Sequence, residues 1–296
     1  MERFVRWAED CPEIRAAIVV GSRARADHPA DEWSDLDLLI ITTDPQRFLS
    51  ATDWVNSVGK PLLEFVEPTG AGGDLELRVL FEGMLDVDFA MIPIQRIQQL
   101  QGKIPRELAV QISNTFSRGM RILLDKDHLT TRLQTLLESI GKPSPDLPTR
   151  SEFLQVVNDF LYHAIFTAKH LRRGELWWTV TCLDCYMQRL LLKMIEWYAM
   201  TTHSKGYDTW FRGRFLEEWT EPWITERLSS TFAHYDCDDI RRTLLNVLSL
   251  FQEMAIETAE KLGYPYPEKS NKQLTEWIET CLSKKTDTTK TISNSF

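Results

Sequence analysis

The sequence predicts an α+β protein of two domains: an N-terminal half built on a mixed β-sheet and a C-terminal half that is all helix. Three observations carry that division. Short apolar runs, at 14–20 and 36–42 for example, alternate with turn residues up to Pro93. Beyond Pro93 strand signals fade, and apolar residues recur at helical spacing. The one proline-rich connector, at 141–148, lies near the middle of the 296 residues. It sets expected domains at 1–145 and 146–284, leaving a polar tail at 285–296 that should be disordered.

Taken in order, residues 1–10 read as an opening helix. The run at 14–20 is apolar almost throughout, as a strand buried on both faces would be. A helix is expected from 22 to about Pro29, then a second strand at 36–42. The segment 44–58 reads as a helix, with Asp44 as cap, Pro45 in the first turn, and Phe48, Leu49, Trp54 and Val55 as its inner stripe. A third strand at 62–66, a glycine loop at 70–73, and a hairpin of 75–81 and 85–92 around Glu82-Gly83 complete the sheet. Residues 94–125 read as helical or irregular and 128–140 as a helix. The second half reads as helices at 151–172, 174–200, 212–229, 237–262 and 271–283. In the first of these, Phe153, Val157, Phe160, Leu161, Ala164, Ile165 and Ala168 hold one helical face.

Composition narrows the function. With 43% apolar residues and ten tryptophans the chain has material for two cores. No apolar run is long enough for a membrane span and no secretion signal is evident, so a cytoplasmic protein is expected. A net charge of −9 argues against nucleic acid as partner and suits a polycationic small molecule. No protein partner is implied. Cys182 and Cys185 form a C-x-x-C without the second pair a zinc site needs, and read as free thiols inside a helix.

The chemistry concentrates in one stretch, IVVGSRARADHPADEWSDLDLLIIT. Gly21 allows a tight turn and close approach to a ligand. Ser22 adds a hydroxyl and an N–H suited to phosphate. Arg23 either adds charge to that loop or is an exposed arginine. Asp35 and Asp37, two apart on a strand, send both carboxylates to one face. That makes a hard oxygen site for Mg²⁺ with nucleotide phosphates. A second acidic strand holds Asp86 and Asp88, and periodicity does not choose between them.

GSRA, DEWSDLDLLI and FEGMLDVDFAMIP together resemble the polymerase-β-like nucleotidyltransferases. Specifically, they resemble the aminoglycoside nucleotidyltransferases of the streptomycin 6-adenylyltransferase type. NDFLYHAIFTAKHLRRGEL, LLLKMIEWYAM and ETAEKLGYPYP extend the likeness over about residues 10–280. Where members of that family often carry Asn after Gly-Ser-Arg-Ala, this chain has Arg25. The resemblance implies AMP transfer from ATP, with a pair of Mg²⁺ ions, to a hydroxyl of an aminoglycoside. It implies a polymerase-β-like N-terminal domain and a helical domain that reads the drug. It selects Asp88, five before Pro93, as the third metal carboxylate beside Asp35 and Asp37, so these three are the catalytic and metal set. Gly21, Ser22 and Arg23 take the nucleotide with Lys169 from the helical half. On the helical half the resemblance matches Asn158, Lys169 and Glu175 to recurrent positions. Helical spacing separately puts Asp159 on one face with Tyr162, Phe166, Lys169 and Arg173, and Asp159, Glu175 and Asp184 are the carboxylates expected to take the cationic acceptor. The general base stays open between Asp88 and Glu175. Two rivals remain: a catalytically silent relative that binds or regulates, and a nucleotidyltransferase acting on another acceptor.

Overall fold

The computed structural model describes residues 1–70, 73–100, 106–116, 118–140, 146–203 and 206–283. The expected tail, residues 141–145 of the connector and residues 71–72 of the glycine loop lie outside these. Contacts divide the chain into two compact units, Met1–Pro143 and Ser144–Phe296.

The first unit runs α1 (Glu2–Asp10), β1 (Ile14–Val20), β2 (Leu36–Thr42), α2 (Pro45–Ser50), α3 (Val55–Val58), β3 (Pro61–Pro68), β4 (Leu75–Phe81), β5 (Asp86–Pro93), α4 (Ile94–Gln99), α5 (Arg106–Phe116), β6 (Arg121–Asp125) and α6 (Leu129–Ile140). The six strands form one sheet in the order β3-β4-β5-β2-β1-β6. β2 pairs with β5 in parallel, and the other pairings are antiparallel. Strand alternation splits the core in two. On one face Val19, Leu38, Leu77, Val79 and Phe89 pack with Phe4 of α1 and Phe48 of α2. On the other, Ile18, Val20 and Ile41 pack with Ile97 of α4 and Leu133 of α6. The carboxylates belong to that second face.

Three expectations for this unit need correction. The helix from residue 22 is a single 3₁₀ turn at Gly21–Arg23. Beyond it Asp31 and Ser34 bond to one another and to the local backbone, with the Trp33 amide donating to Asp31 Oδ1 at 3.0 Å. Side-chain bonds of this kind compete with helix. The helix at 44–58 keeps its Asp44 cap and Pro45 start but breaks at Ala51, where the Trp54 indole N–H takes the Phe48 carbonyl at 3.0 Å. The stretch 94–125 ends in β6, which five residues alone did not announce. Its strand character comes from pairing with β1.

The second unit comprises α7 (Arg150–Arg172), α8 (Leu176–Thr181), α9 (Gln188–Thr202), α10 (Leu216–Trp219), α11 (Pro222–Leu228), α12 (Cys237–Leu262) and α13 (Glu268–Ser283). Thr149 and Glu152 close a capping box on α7. Asp236 caps α12, which stops at Gly263 in the left-handed region. α7 turns the expected stripe inward, and Phe160 stacks on Phe251 at 3.6 Å. Two expected helices are interrupted. A π-helical turn, Cys182–Met187, separates α8 from α9. The 212–229 segment splits into α10 and α11, because Arg212 and Phe215 hold positive φ and Pro222 restarts the helix. The five cysteines are free. No described helix is long and apolar enough to cross a membrane.

Candidate active site

The site begins where β1 ends. Val20 and Asp37 are register partners on antiparallel strands, so the turn leaving β1 lies against the Asp37 side chain. Gly21 makes that turn with φ of +68°. A Cβ there would overlap the Asp37 carboxylate oxygen and stand 3.1 Å from its Cγ. Only glycine meets both demands. Ser22 follows, buried, with a hydroxyl that has no hydrogen-bond partner in the protein. Leaving such a group unsatisfied costs about 1–3 kcal/mol. A phosphate oxygen is the kind of partner a turn of this sort accepts.

β2 then returns with Asp35 just before it and Asp37 as its second residue. Asp37 stands opposite Asp88 on β5, so the strand pairing brings the two onto one face. Arg23 works inward. Its Nε donates to the Asp35 carbonyl at 2.8 Å and Nη2 to the Ser34 carbonyl at 2.6 Å, fixing the loop that delivers Asp35. The Ala30 amide closes the same loop onto the Ser22 carbonyl at 3.1 Å. Arg25 donates through Nε to the His28 carbonyl at 2.7 Å.

Asp88 is only 15% exposed. Burial pushes its carboxyl up to about 6; Arg78 pulls it down, while Glu76, Asp35 and Asp86 add to the rise. Arg78, across from Asp88 on β4, binds three carboxylates. Nη2 meets Asp88 at 3.1 Å, and Nε meets Glu67 at 2.6 Å and Glu76 at 3.2 Å. Burial raises the Glu76 carboxyl as well. Neither Glu76 nor Arg78 was singled out in the sequence. The available signal was Leu-Glu-Leu-Arg-Val, charge alternating with apolar residues on a strand that is not at the sheet edge.

Among the described residues no three His, Cys, Asp or Glu side chains converge closely enough to hold an ion between them. The chemistry nonetheless suits Mg²⁺, which takes one or two protein carboxylates and fills its shell with water and phosphate oxygens. Asp35, Asp37 and Asp88 supply hard oxygens on one face, and the unpartnered Ser22 hydroxyl sits beside them. A cavity of about 530 Å³ opens along this face, walled by Asp37, Glu76, Asp88 and Arg96 over a floor that includes Ile18 and Val20. That volume is within the range of small-molecule sites. Arg96 is anchored on Asp74 at 3.1 Å and on the Gly73 carbonyl at 2.7 Å.

The remaining candidates lie on the helical unit. Asp159 on α7 pairs with His163 at 2.7 Å and accepts from the Tyr186 hydroxyl at 2.9 Å. Glu175 pairs with His170 and, at 2.7 Å, with Arg173. Around them lie Phe166 and the exposed Tyr162 and Trp178. Asp184, in the π-helical turn, is turned inward to the Ala233 amide at 3.3 Å, and burial raises its carboxyl. Lys169 places its ammonium 5.8 Å from the Trp277 ring centre.

The family model described as streptomycin adenylyltransferase matches residues 1–281. An aminoglycoside 6-adenylyltransferase of Bacillus subtilis (strain 168) is 24% identical over 274 residues, 90% of this chain and 92% of that protein. One of Campylobacter jejuni is 23% identical over 275 residues, 89% and 88% of the two chains. The crystal structure of an aminoglycoside 6-adenyltransferase from Bacillus subtilis superposes with a TM-score of 0.47 at 20% identity, covering 96% of this chain and 97% of that one.

Proposed function

The chain belongs to the streptomycin adenylyltransferase family, and from that premise we propose that it is a cytoplasmic, Mg²⁺-dependent enzyme moving AMP from ATP to a hydroxyl of streptomycin. The observation that carries the reading is the junction of Gly21, Ser22 and Asp37. There a turn that tolerates no Cβ is pressed on a strand carboxylate, next to a buried hydroxyl without a partner.

In the proposed reaction the acceptor oxygen bonds to the α-phosphorus of ATP. The bond from that phosphorus to the bridging oxygen breaks, and pyrophosphate leaves. The hydroxyl proton passes to a carboxylate, Asp88 or Glu175. Gly21 and Ser22 hold the β- and γ-phosphates through the turn amides and the Ser22 hydroxyl. Arg23 keeps Asp35 in place through the backbone. Asp35, Asp37 and Asp88 would hold Mg²⁺, which would supply positive charge to offset that of the triphosphate. Asp159 and Glu175 are assigned to the guanidinium groups of the acceptor, because a planar guanidinium pairs best with carboxylates.

The test is incubation of the purified chain with ATP, Mg²⁺ and a panel of aminoglycosides, followed by mass measurement. Streptomycin should gain one adenylyl group with release of pyrophosphate, and kanamycin should remain largely unmodified, since it would leave the site's carboxylates unpaired. Modification of kanamycin alone would replace the substrate and leave the reaction. No modification of any aminoglycoside would favour another acceptor or a silent relative.

A further inference from the structure

We propose that Arg78 is a built-in counter-ion of Asp88 that gives way when the site takes up a divalent cation, and that it thereby sets the affinity for that cation. The inference rests on the reading of Asp35, Asp37 and Asp88 as the metal carboxylates.

The geometry separates two grips of one guanidinium. Nη2 holds Asp88 at 3.1 Å, whereas Nε holds Glu67 at 2.6 Å and Glu76 at 3.2 Å. The Asp88 contact can therefore break while the guanidinium keeps its other partners. Glu76 is buried, a fixed anchor on the strand interior, and Arg78 is 43% exposed, so its end has room to swing. One positive charge faces three carboxylates, and Asp35 and Asp86 add further negative charge around Asp88. Arg78 tempers that repulsion at rest. The same contact holds Asp88 toward β4, which accords with the absence of any converged ion-binding trio among the described residues. Arg78 thus acts as a positioning residue: it decides when Asp88 is available.

The test is Mn²⁺ binding to the purified full chain without nucleotide, following free Mn²⁺ by electron paramagnetic resonance. Arg78→Gln should bind Mn²⁺ about tenfold more tightly, the order expected for removing an opposing charge within hydrogen-bond distance of a ligand. Arg78→Lys should stay near the parent. Glu67→Gln should bind more weakly, about threefold by the same reasoning, because the guanidinium then leans on Asp88. In the Arg78→Gln background that substitution should have little effect. A role confined to holding the strands together predicts unchanged or weaker binding in Arg78→Gln. That result, or lysine behaving as glutamine does, overturns the proposal. Should Arg78→Gln fail to fold by circular dichroism, unchanged binding in Glu67→Gln overturns it instead. Asp88→Asn separates the two levels: if it binds Mn²⁺ as the parent does, the metal reading itself fails whatever Arg78 does.

Discussion

The carboxylates of the sheet and those of the helices are held by opposite means. On the helical unit Asp159 has His163 and the Tyr186 hydroxyl, Glu175 has His170 and Arg173, and Asp184 has the Ala233 amide. Each is answered by a neighbour of opposite or neutral character. On the sheet, Asp88 lies among Glu76, Asp35 and Asp86, with Arg78 drawn three ways between it, Glu67 and Glu76. Answered carboxylates organise a fold. Crowded ones raise its energy, and that is where the proposed chemistry on a triphosphate would draw on a cation. The contrast makes separate demands on substitutions in the two places.

The largest effect should come from Asp37→Asn. It removes charge from the face that would hold the metal while preserving shape, so turnover should fall ~10³-fold, about 4 kcal/mol of barrier. Circular dichroism should be unchanged. Near-normal turnover in a folded variant would break the contrast at its strongest point. Next comes Gly21→Ala, whose Cβ would push into the Asp37 carboxylate from a left-handed backbone. Displacing a reacting group by about 1 Å costs on the order of 10²-fold. Turnover should therefore fall far more than thermal stability does, and a variant hit only in stability would show that the turn is structural.

That contrast was only half legible in the sequence. Gly21, Asp35 and Asp37 stand within one strand–turn–strand, where local spacing fixes which residues share a face. The bounds of β1 and β2 follow from unbroken apolar runs for the same reason. β6 was not legible, because its five residues become a strand only by pairing with β1, about a hundred positions away in sequence. Arg78 and Glu76 escaped notice on similar grounds: their meaning depends on β4 lying beside β5 with Arg78 opposite Asp88. The breaks at Ala51 and within 212–229 turn on an indole hydrogen bond and on backbone angles at Arg212 and Phe215, which helical periodicity does not encode. On the helical unit, periodicity put Asp159 and Lys169 on one face of α7. It did not reveal that His163 and Tyr186 already answer Asp159.

Asp159→Asn and Glu175→Gln sharpen the other side of the comparison. If these carboxylates hold a cationic acceptor in ground state and transition state alike, each substitution raises the KM for streptomycin about tenfold and leaves kcat and the KM for ATP nearly unchanged. Loss of kcat with unchanged KM in Glu175→Gln would move the base role to it. Loss of folding stability alone in both would make them purely architectural.

The smallest effect is a pH dependence of stability in metal-free buffer. Asp88 has a folded-state pKa of about 6, raised first by burial, against about 3.9 for an unfolded aspartate. Between those values the folded chain holds a proton on Asp88 that the unfolded chain has lost. Stability therefore falls as pH rises through this window. The contribution is fully present below pH ~4 and gone above pH ~6. Asp88→Asn has no such proton to lose, although it also forfeits the Arg78 contact at every pH. The difference in Tm, variant minus parent, should consequently climb between pH 4 and pH 6 and level off above, whatever its offset. Glu76 titrates in both proteins and cancels in the difference to first order. Saturating Mn²⁺ should flatten the climb, because a bound cation holds Asp88 ionised in the parent. A difference that stays flat without metal would mean that the Arg78 ion pair outweighs burial. Asp88 would then be an answered carboxylate like those on the helices, and the distinction between the two regions would fail at its central residue.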